Sequence, residues 1–143
     1  MKQVNIAYYF QTINDVISDT EEMGSKMHPY YESLRQAIDN NEAVSTEELA
    51  KVQTIFEEGC ETYDTYQAKV EKLQAPVKLM GLHKKFVNAY IAYVKACHDM
   101  LEATNPEQGL NVEAFNQAEK DQDEYSQKVS QAVARMATMA MRK

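Results

Sequence analysis

The stretch LQAPV, Leu73 to Val77, decides how many helices this chain of 143 residues forms. On both sides of it, apolar residues recur every three or four positions, as they do in bundle helices. At about 100° per residue, however, the apolar stripe before Pro76 and the stripe after it differ in direction by roughly 130–150°. One continuous helix would therefore turn an apolar side to water. The sequence predicts a tight reversal instead, with Pro76 in the first turn of a new helix.

Three further segments carry a helical pattern. In the first, large apolar residues alternate in steps of four and three, and the alternation continues past Pro29, which predicts a long helix kinked near that residue. Ser45 and Glu48 have capping-box spacing and should begin the second helix, while Asn111 should cap the last one. Four such helices joined by short loops predict an all-α, antiparallel up-down-up-down four-helix bundle. It should form a single domain over residues 1–143.

Charge and composition argue against several classes of protein. The 22 acidic and 15 basic residues leave a net charge of −7, which disfavours binding to nucleic acid or to an anionic membrane surface. No window is long and apolar enough to span a bilayer, and the first residues lack the apolar core of a signal peptide. Two cysteines do not make a disulfide framework, so we expect a cytoplasmic protein.

His83 is the residue that most suggests a ligand site, because it shares the apolar face of the third helix with Tyr90 and Cys97 at seven-residue intervals. A metal ion needs several ligands at one height. Threading the chain up and down places His83 beside Tyr66, and it places Cys60 and Cys97 about eight residues apart in level. We therefore expect a buried hydrogen bond between His83 and Tyr66, and no metal or cofactor site.

Signatures of catalysis are missing from the sequence. There is no Glu-x-x-His pair for a di-iron centre, no Cys-x-x-Cys-His for haem attachment and no glycine-rich phosphate loop. Cys97 and His98 are adjacent in sequence and so face different sides of the helix, which does not suit a nucleophile and its base. Gly59, on the apolar stripe of the second helix, should instead serve packing, since it lets another helix approach closely. The sequence predicts no catalytic residues and a protein that is not an enzyme.

The first hypothesis is a non-enzymatic bundle that acts as a protein–protein interaction or oligomerisation module. The polar first half of the fourth helix should leave a groove beside the second half of the third helix, where a partner helix could dock. Flexible thioethers suit adaptable surfaces, so the expected partner surface is Gln122, Met136, Met139 and Met141.

The alternative is a small-molecule or metal-binding bundle that uses a tyrosine-lined interior near His83, since the chain has nine tyrosines. A third class, secreted helical hairpins of the WXG type, is disfavoured because the chain has no tryptophan and therefore no Trp-x-Gly turn. No motif in the sequence is specific to one family.

Overall fold

The computed structural model describes residues 4–142, and four α-helices account for most of them. The helices are α1 (Ile6–Asp39), α2 (Thr46–Lys72), α3 (Met80–Glu102) and α4 (Val112–Met141), with a 3₁₀ turn at Val77–Leu79. The described residues contain no β-strand. The predicted all-α, four-helix bundle is confirmed. No helix within residues 4–142 is long and apolar enough to cross a membrane.

Polar side chains cap the start of three helices. The side chains of Asn5, Ser45 and Asn111 each accept a hydrogen bond from the backbone N–H three residues further on. The caps predicted at Ser45 and Asn111 are therefore confirmed. The carboxylate of Glu48 accepts a hydrogen bond from the hydroxyl of Ser33, which ties the first turn of α2 to α1.

The chain reverses after α2, as the LQAPV pattern predicts. Residues 73–76 are non-helical, and Pro76 precedes the 3₁₀ turn rather than standing inside the first turn of α3. Residues 73–79 therefore cross the end of the bundle without lengthening α2 or α3. In α1, by contrast, the helix continues through Pro29, whose ring faces solvent. The kink near Pro29 stays a prediction.

Side-chain contacts between α1 and α4 follow an up-and-down order. Tyr9, near the start of α1, contacts Met136, near the end of α4. Arg35, near the end of α1, pairs with Glu119, near the start of α4. Between these two bridges, the backbones of α1 and α4 approach one another at very few points in the described chain, whereas α1–α2, α2–α3 and α3–α4 pack extensively. The bundle is thus open along one side, which we call the α1–α4 opening.

Buried side chains form two clusters that follow each other along the bundle. The first contains Tyr9, Ile13, Cys60, Tyr63, Phe86, Tyr90, Cys97 and Met136, among others. The second contains Leu34, Leu49, Val52, Phe56, Met100 and Phe115, among others. Between α1 and α2, the sulfur of Met27 would overlap a Cβ atom built on Gly59, so this glycine makes room for the Met27 side chain. The close approach of another helix at Gly59 stays a prediction.

Candidate ligand cavity at the opening between the first and fourth helices

A cavity of about 320 Å³ lies at the α1–α4 opening, where the two core clusters meet. All four helices contribute to it. Its lining consists of Gly24, Met27, His28, Tyr31, Phe56, Cys60, Tyr63, Tyr93, Cys97, Met100, Glu119, Gln122 and Asp123. The residues from α2 and α3 are mostly buried and form its floor, whereas α1 and α4 supply the exposed polar groups at its rim.

The cavity exists because small or polar residues occupy positions that would otherwise fill it. Gly24 contributes no side chain from α1. Gln122 places an amide on the apolar stripe of α4, where its Nε2 lies 3.5 Å from the sulfur of Met100. A large apolar side chain at either position would occupy space that the structure leaves open.

Tyrosines build part of the floor, and their hydroxyls are tied to α1. The ring of Tyr63 lies 5.8 Å from that of Tyr93, centroid to centroid. The hydroxyl of Tyr63 donates to the carbonyl oxygen of Thr20 at 3.2 Å, and the hydroxyls of Tyr90 and Thr20 lie 2.7 Å apart. Burial raises the pKa of Tyr63, Tyr90 and Tyr93, so these phenols stay protonated. Tyr63 and Tyr93 present their neutral rings to the cavity.

Cys60 and Cys97 line this same cavity as buried free thiols. The prediction that they lie about eight residues apart in level is therefore wrong. Burial raises the pKa of Cys60 to about 12, and the charges of Asp64 and Glu57 raise it further. Burial also raises the pKa of Cys97, with a smaller contribution from Cys60. Both groups are neutral thiols near pH 7, which makes them apolar lining rather than nucleophiles.

His83 lies outside the cavity, at the end of the bundle where α1 begins. Its Nδ1 is 2.6 Å from the hydroxyl of Tyr9, so the structure corrects the predicted pairing with Tyr66. The Tyr9 hydroxyl also lies 3.1 Å from the sulfur of Met136, so this one side chain of α1 contacts both α3 and α4. Burial lowers the pKa of His83, against the opposing effect of hydrogen bonds with the backbone of Val70 and Leu73.

The new partner of His83 and the new level of Cys97 have the same cause. The prediction placed the reversal tightly around Pro76, whereas residues 73–79 extend across the end of the bundle before α3 begins at Met80. This displaces α3 along the bundle axis relative to α2. His83 therefore faces the last turn of α2 rather than Tyr66, and Cys97 comes to the level of Cys60.

The residues expected to form a partner surface do not share one surface. Gln122 lines the cavity at the α1–α4 opening. Met136 is fully buried beneath Tyr9, and Met139 is half-buried against the first core cluster, because the second half of α4 packs closely on α3. Met141 is exposed, at the other end of the molecule from the cavity. Met136 therefore has a role in the core.

Arg35 bridges α1 and α4 at one end of the cavity. Its guanidinium donates to Asn116 Oδ1 at 2.8 Å, pairs with the carboxylate of Glu119 and lies 5.2 Å from the ring centroid of Phe115. Sequence reasoning missed this bridge, since it joins residues more than eighty positions apart. It also missed the cavity, although Gly24 and Gln122, which interrupt the apolar stripes of α1 and α4, were visible signals.

Within residues 4–142, no group of three or more His, Cys, Asp and Glu side chains is arranged to hold a metal ion. His28 stands at the cavity rim beside Glu32, and His98 pairs with Asp64 at 2.8 Å on another face. No family model, curated protein or solved structure compared with this chain matches it. What can be inferred about function therefore comes from the cavity's own residues.

Proposed function

We propose that the protein is a non-enzymatic binding bundle whose cavity at the α1–α4 opening takes a small, largely apolar molecule. The observation that carries this proposal is the 320 Å³ cavity with an apolar floor and a few polar groups at its rim. Pockets for small molecules typically have this size and this division of lining. The proposal keeps the tyrosine-lined ligand site of the sequence-based alternative but moves it away from His83.

The lining favours a ligand with an uncharged, apolar body and a hydrogen-bond donor at one end. Aromatic rings and thioethers form most of the inner surface, and such groups bind planar or flexible apolar molecules well. The rim offers acceptors, namely the carboxylates of Glu119 and Asp123 and the amide oxygen of Gln122. An aromatic molecule that carries an amino group matches both parts of the cavity.

The protonation states of the lining support binding rather than catalysis. A thiolate or phenolate nucleophile requires a lowered pKa, yet burial raises the pKa of Cys60, Cys97 and Tyr63. Neutral thiols and phenols do not supply a base or a nucleophile near pH 7. The two buried free thiols also fit a reducing compartment, so we place this binding role in the cytoplasm.

A second candidate occupant is an apolar helix of a partner chain or of another copy. A smaller opening of about 130 Å³ shares Gly24 and Tyr93 with the cavity and continues it along α4 to Ser130. From Glu119 to Ser130 the groove then follows α4 for roughly 16 Å, about three helical turns. A groove of this length can hold the apolar face of an amphipathic helix, whose anchoring side chains recur over two to three turns.

The test of the cavity uses 1-aminoanthracene, a fluorescent aromatic amine. A Cβ atom at position 24 would lie 3.6 Å from the hydroxyl of Tyr63, an ordinary contact, so Gly24→Ala fits the cavity. The further atoms of leucine would occupy the space of the probe. We expect Gly24→Leu to weaken probe binding at least about tenfold, which is a loss of about 1.4 kcal/mol. Gly24→Ala should bind nearly as well as the native chain.

Gly81→Leu is the matched control, because position 81 is exposed and a Cβ atom there meets no atom within 4 Å. It should leave probe binding unchanged. Native-strength binding by a folded Gly24→Leu variant would contradict the cavity proposal. Light scattering separates the two occupants: a monomer that binds the probe supports the small molecule. A dimer that Gly24→Leu dissociates supports the helix instead.

A further inference from the structure

One end of the bundle is basic although the protein as a whole is acidic. The start of α1, the end of α2, the 3₁₀ turn with the start of α3, and the end of α4 build this basic end, from residues 4–14, 66–88 and 130–142. These segments contain a single carboxylate, Glu71. Their cations, all exposed, are Lys69, Lys72, Lys78, Lys84, Lys85, Arg135 and Arg142.

Direct contacts hold these segments together. The ammonium group of Lys78, in the 3₁₀ turn, donates to the backbone carbonyl of Arg142 at the end of α4. Tyr8, Lys69 and Lys72 line one shallow groove between the start of α1 and the end of α2. Arg135 and Arg142 line another groove at the end of α4. Contacts and shared grooves therefore place five of the seven cations, all except Lys84 and Lys85, at this end of the bundle.

Large apolar side chains project from the same end. They are Ile6, Tyr8, Val77, Met80 and Met141, from three separate segments of the chain. Val77 and Met141 are each 84 % exposed, and Tyr8 is 63 % exposed. Lysine and arginine side chains carry long apolar stems, so they can lie along an apolar phase while their charged ends contact anions.

We propose that the basic end docks on the surface of an anionic lipid bilayer. The projecting apolar side chains would enter the boundary between headgroups and acyl chains, and the surrounding cations would bind lipid phosphates and carboxylates. Apolar side chains that protrude from several segments, among exposed cations, suit the deformable boundary of a bilayer better than a preformed protein surface. This inference is independent of the ligand cavity.

The net charge of −7 does not oppose this docking. Charges separated by more than the Debye length, about 8 Å at physiological ionic strength, are largely screened from one another. Asp15 and Asp64 border the basic end, whereas Asp39, Glu47 and Glu48 lie at the far end of helices of up to 34 residues. At about 1.5 Å per residue, those far carboxylates are several Debye lengths away. The sequence-based expectation against an anionic membrane averaged the charge over the whole molecule, whereas the bilayer would meet only one end.

The test is co-sedimentation with vesicles of phosphatidylcholine containing about 30 % phosphatidylserine, compared with pure phosphatidylcholine. We expect binding to the anionic vesicles at about 0.1 M salt, weaker binding at about 0.5 M salt, and little binding to the neutral vesicles. The double variant Lys72→Glu/Lys78→Glu should reduce partitioning about thirtyfold or more, because each lysine near an anionic surface contributes about 1 kcal/mol.

The control is Lys51→Glu/Lys120→Glu, which makes the same change in net charge at exposed positions outside the basic end. It should partition like the native chain. The apolar contribution is tested by Val77→Asp/Met141→Asp, which should also lose binding. An absence of binding to anionic vesicles, or equal losses in both lysine pairs, would overturn the proposal. Self-association that Lys72→Glu/Lys78→Glu abolishes, without any vesicle binding, would assign the basic end to a second copy of the chain instead.

Discussion

Replacing Tyr9 with phenylalanine removes one hydroxyl that connects three helices. That hydroxyl lies 2.6 Å from Nδ1 of His83 on α3 and donates to the sulfur of Met136 on α4 at 3.1 Å. The side chain is fully buried, and burial raises the pKa of its hydroxyl to about 12. Because phenylalanine keeps the ring and its packing, the change in the free energy of unfolding reports the hydrogen bonds.

The expected loss follows from these two partners. A hydrogen bond contributes about 1 kcal/mol net, and an orphaned buried partner adds a desolvation penalty of about 1–3 kcal/mol. His83 is only half-buried, so water can replace part of its lost bond, and sulfur is a weak acceptor. We therefore expect a loss of about 1.5 kcal/mol. This corresponds to a decrease of about 1 M in the urea midpoint and of roughly 5 °C in Tm.

Urea unfolding followed by circular dichroism measures this change. Tyr8→Phe is the matched control, because the neighbouring tyrosine is 63 % exposed and its loss of a hydroxyl should change stability by less than about 0.5 kcal/mol. If Tyr9→Phe destabilised the protein no more than Tyr8→Phe does, the described junction of α1, α3 and α4 would be refuted.

Three further predictions concern charge and protonation. Arg35→Gln should lower the free energy of unfolding, measured by urea titration, by about 1.5–3 kcal/mol, because the carboxylate of Glu119 is left unpaired. The Arg35 side chain is only 20 % exposed, so water replaces little of the lost interaction. The exposed control Lys51→Gln should have little effect. Burial lowers the pKa of His83 in the folded protein. The neutral imidazole therefore contributes to stability above about pH 6.5, and this contribution is lost as the pH falls through the lower pKa of the folded state. Urea midpoints at about pH 7.5 and about pH 5 should therefore differ less in His83→Gln than in the native chain. Because burial raises the pKa of Cys60 and Cys97, few of these thiols are ionised in the folded protein. At about pH 8 they should react with a disulfide reagent roughly a thousandfold more slowly in the folded than in the urea-unfolded protein. Equal rates would contradict their burial.

Local signals in the sequence were sufficient for the four helices and for the N-terminal caps of two of them. Ser45 and Asn111 cap helices because their side chains bond backbone groups three residues away, an interaction that sequence spacing specifies. The reversal near Pro76 was also predictable, since a continuous helix would have exposed an apolar stripe. These features depend on neighbours in the chain, which a single sequence shows directly.

Local sequence patterns could not predict the position of one helix along the bundle axis relative to the next. It depends on how residues 73–79 cross the end of the bundle, and a few residues of difference there changed the partner of His83 and brought Cys97 to Cys60. The sequence did not predict the cavity for a related reason. It results from side chains too small to meet across the bundle, as at Gly24, and periodicity does not report the volume between helices.

Methionine methyl groups report directly on whether the cavity at the α1–α4 opening binds a small apolar molecule, as we propose. Met27 and Met100 line the cavity, whereas Met80 and Met141 lie at the basic end. In spectra of protein labelled with ¹³C at the methionine methyls, 1-aminoanthracene should shift the Met27 and Met100 resonances and show nuclear Overhauser contacts to them. Contacts confined to Met80 and Met141, or no change at Met27 and Met100 under saturating probe, would contradict the claim.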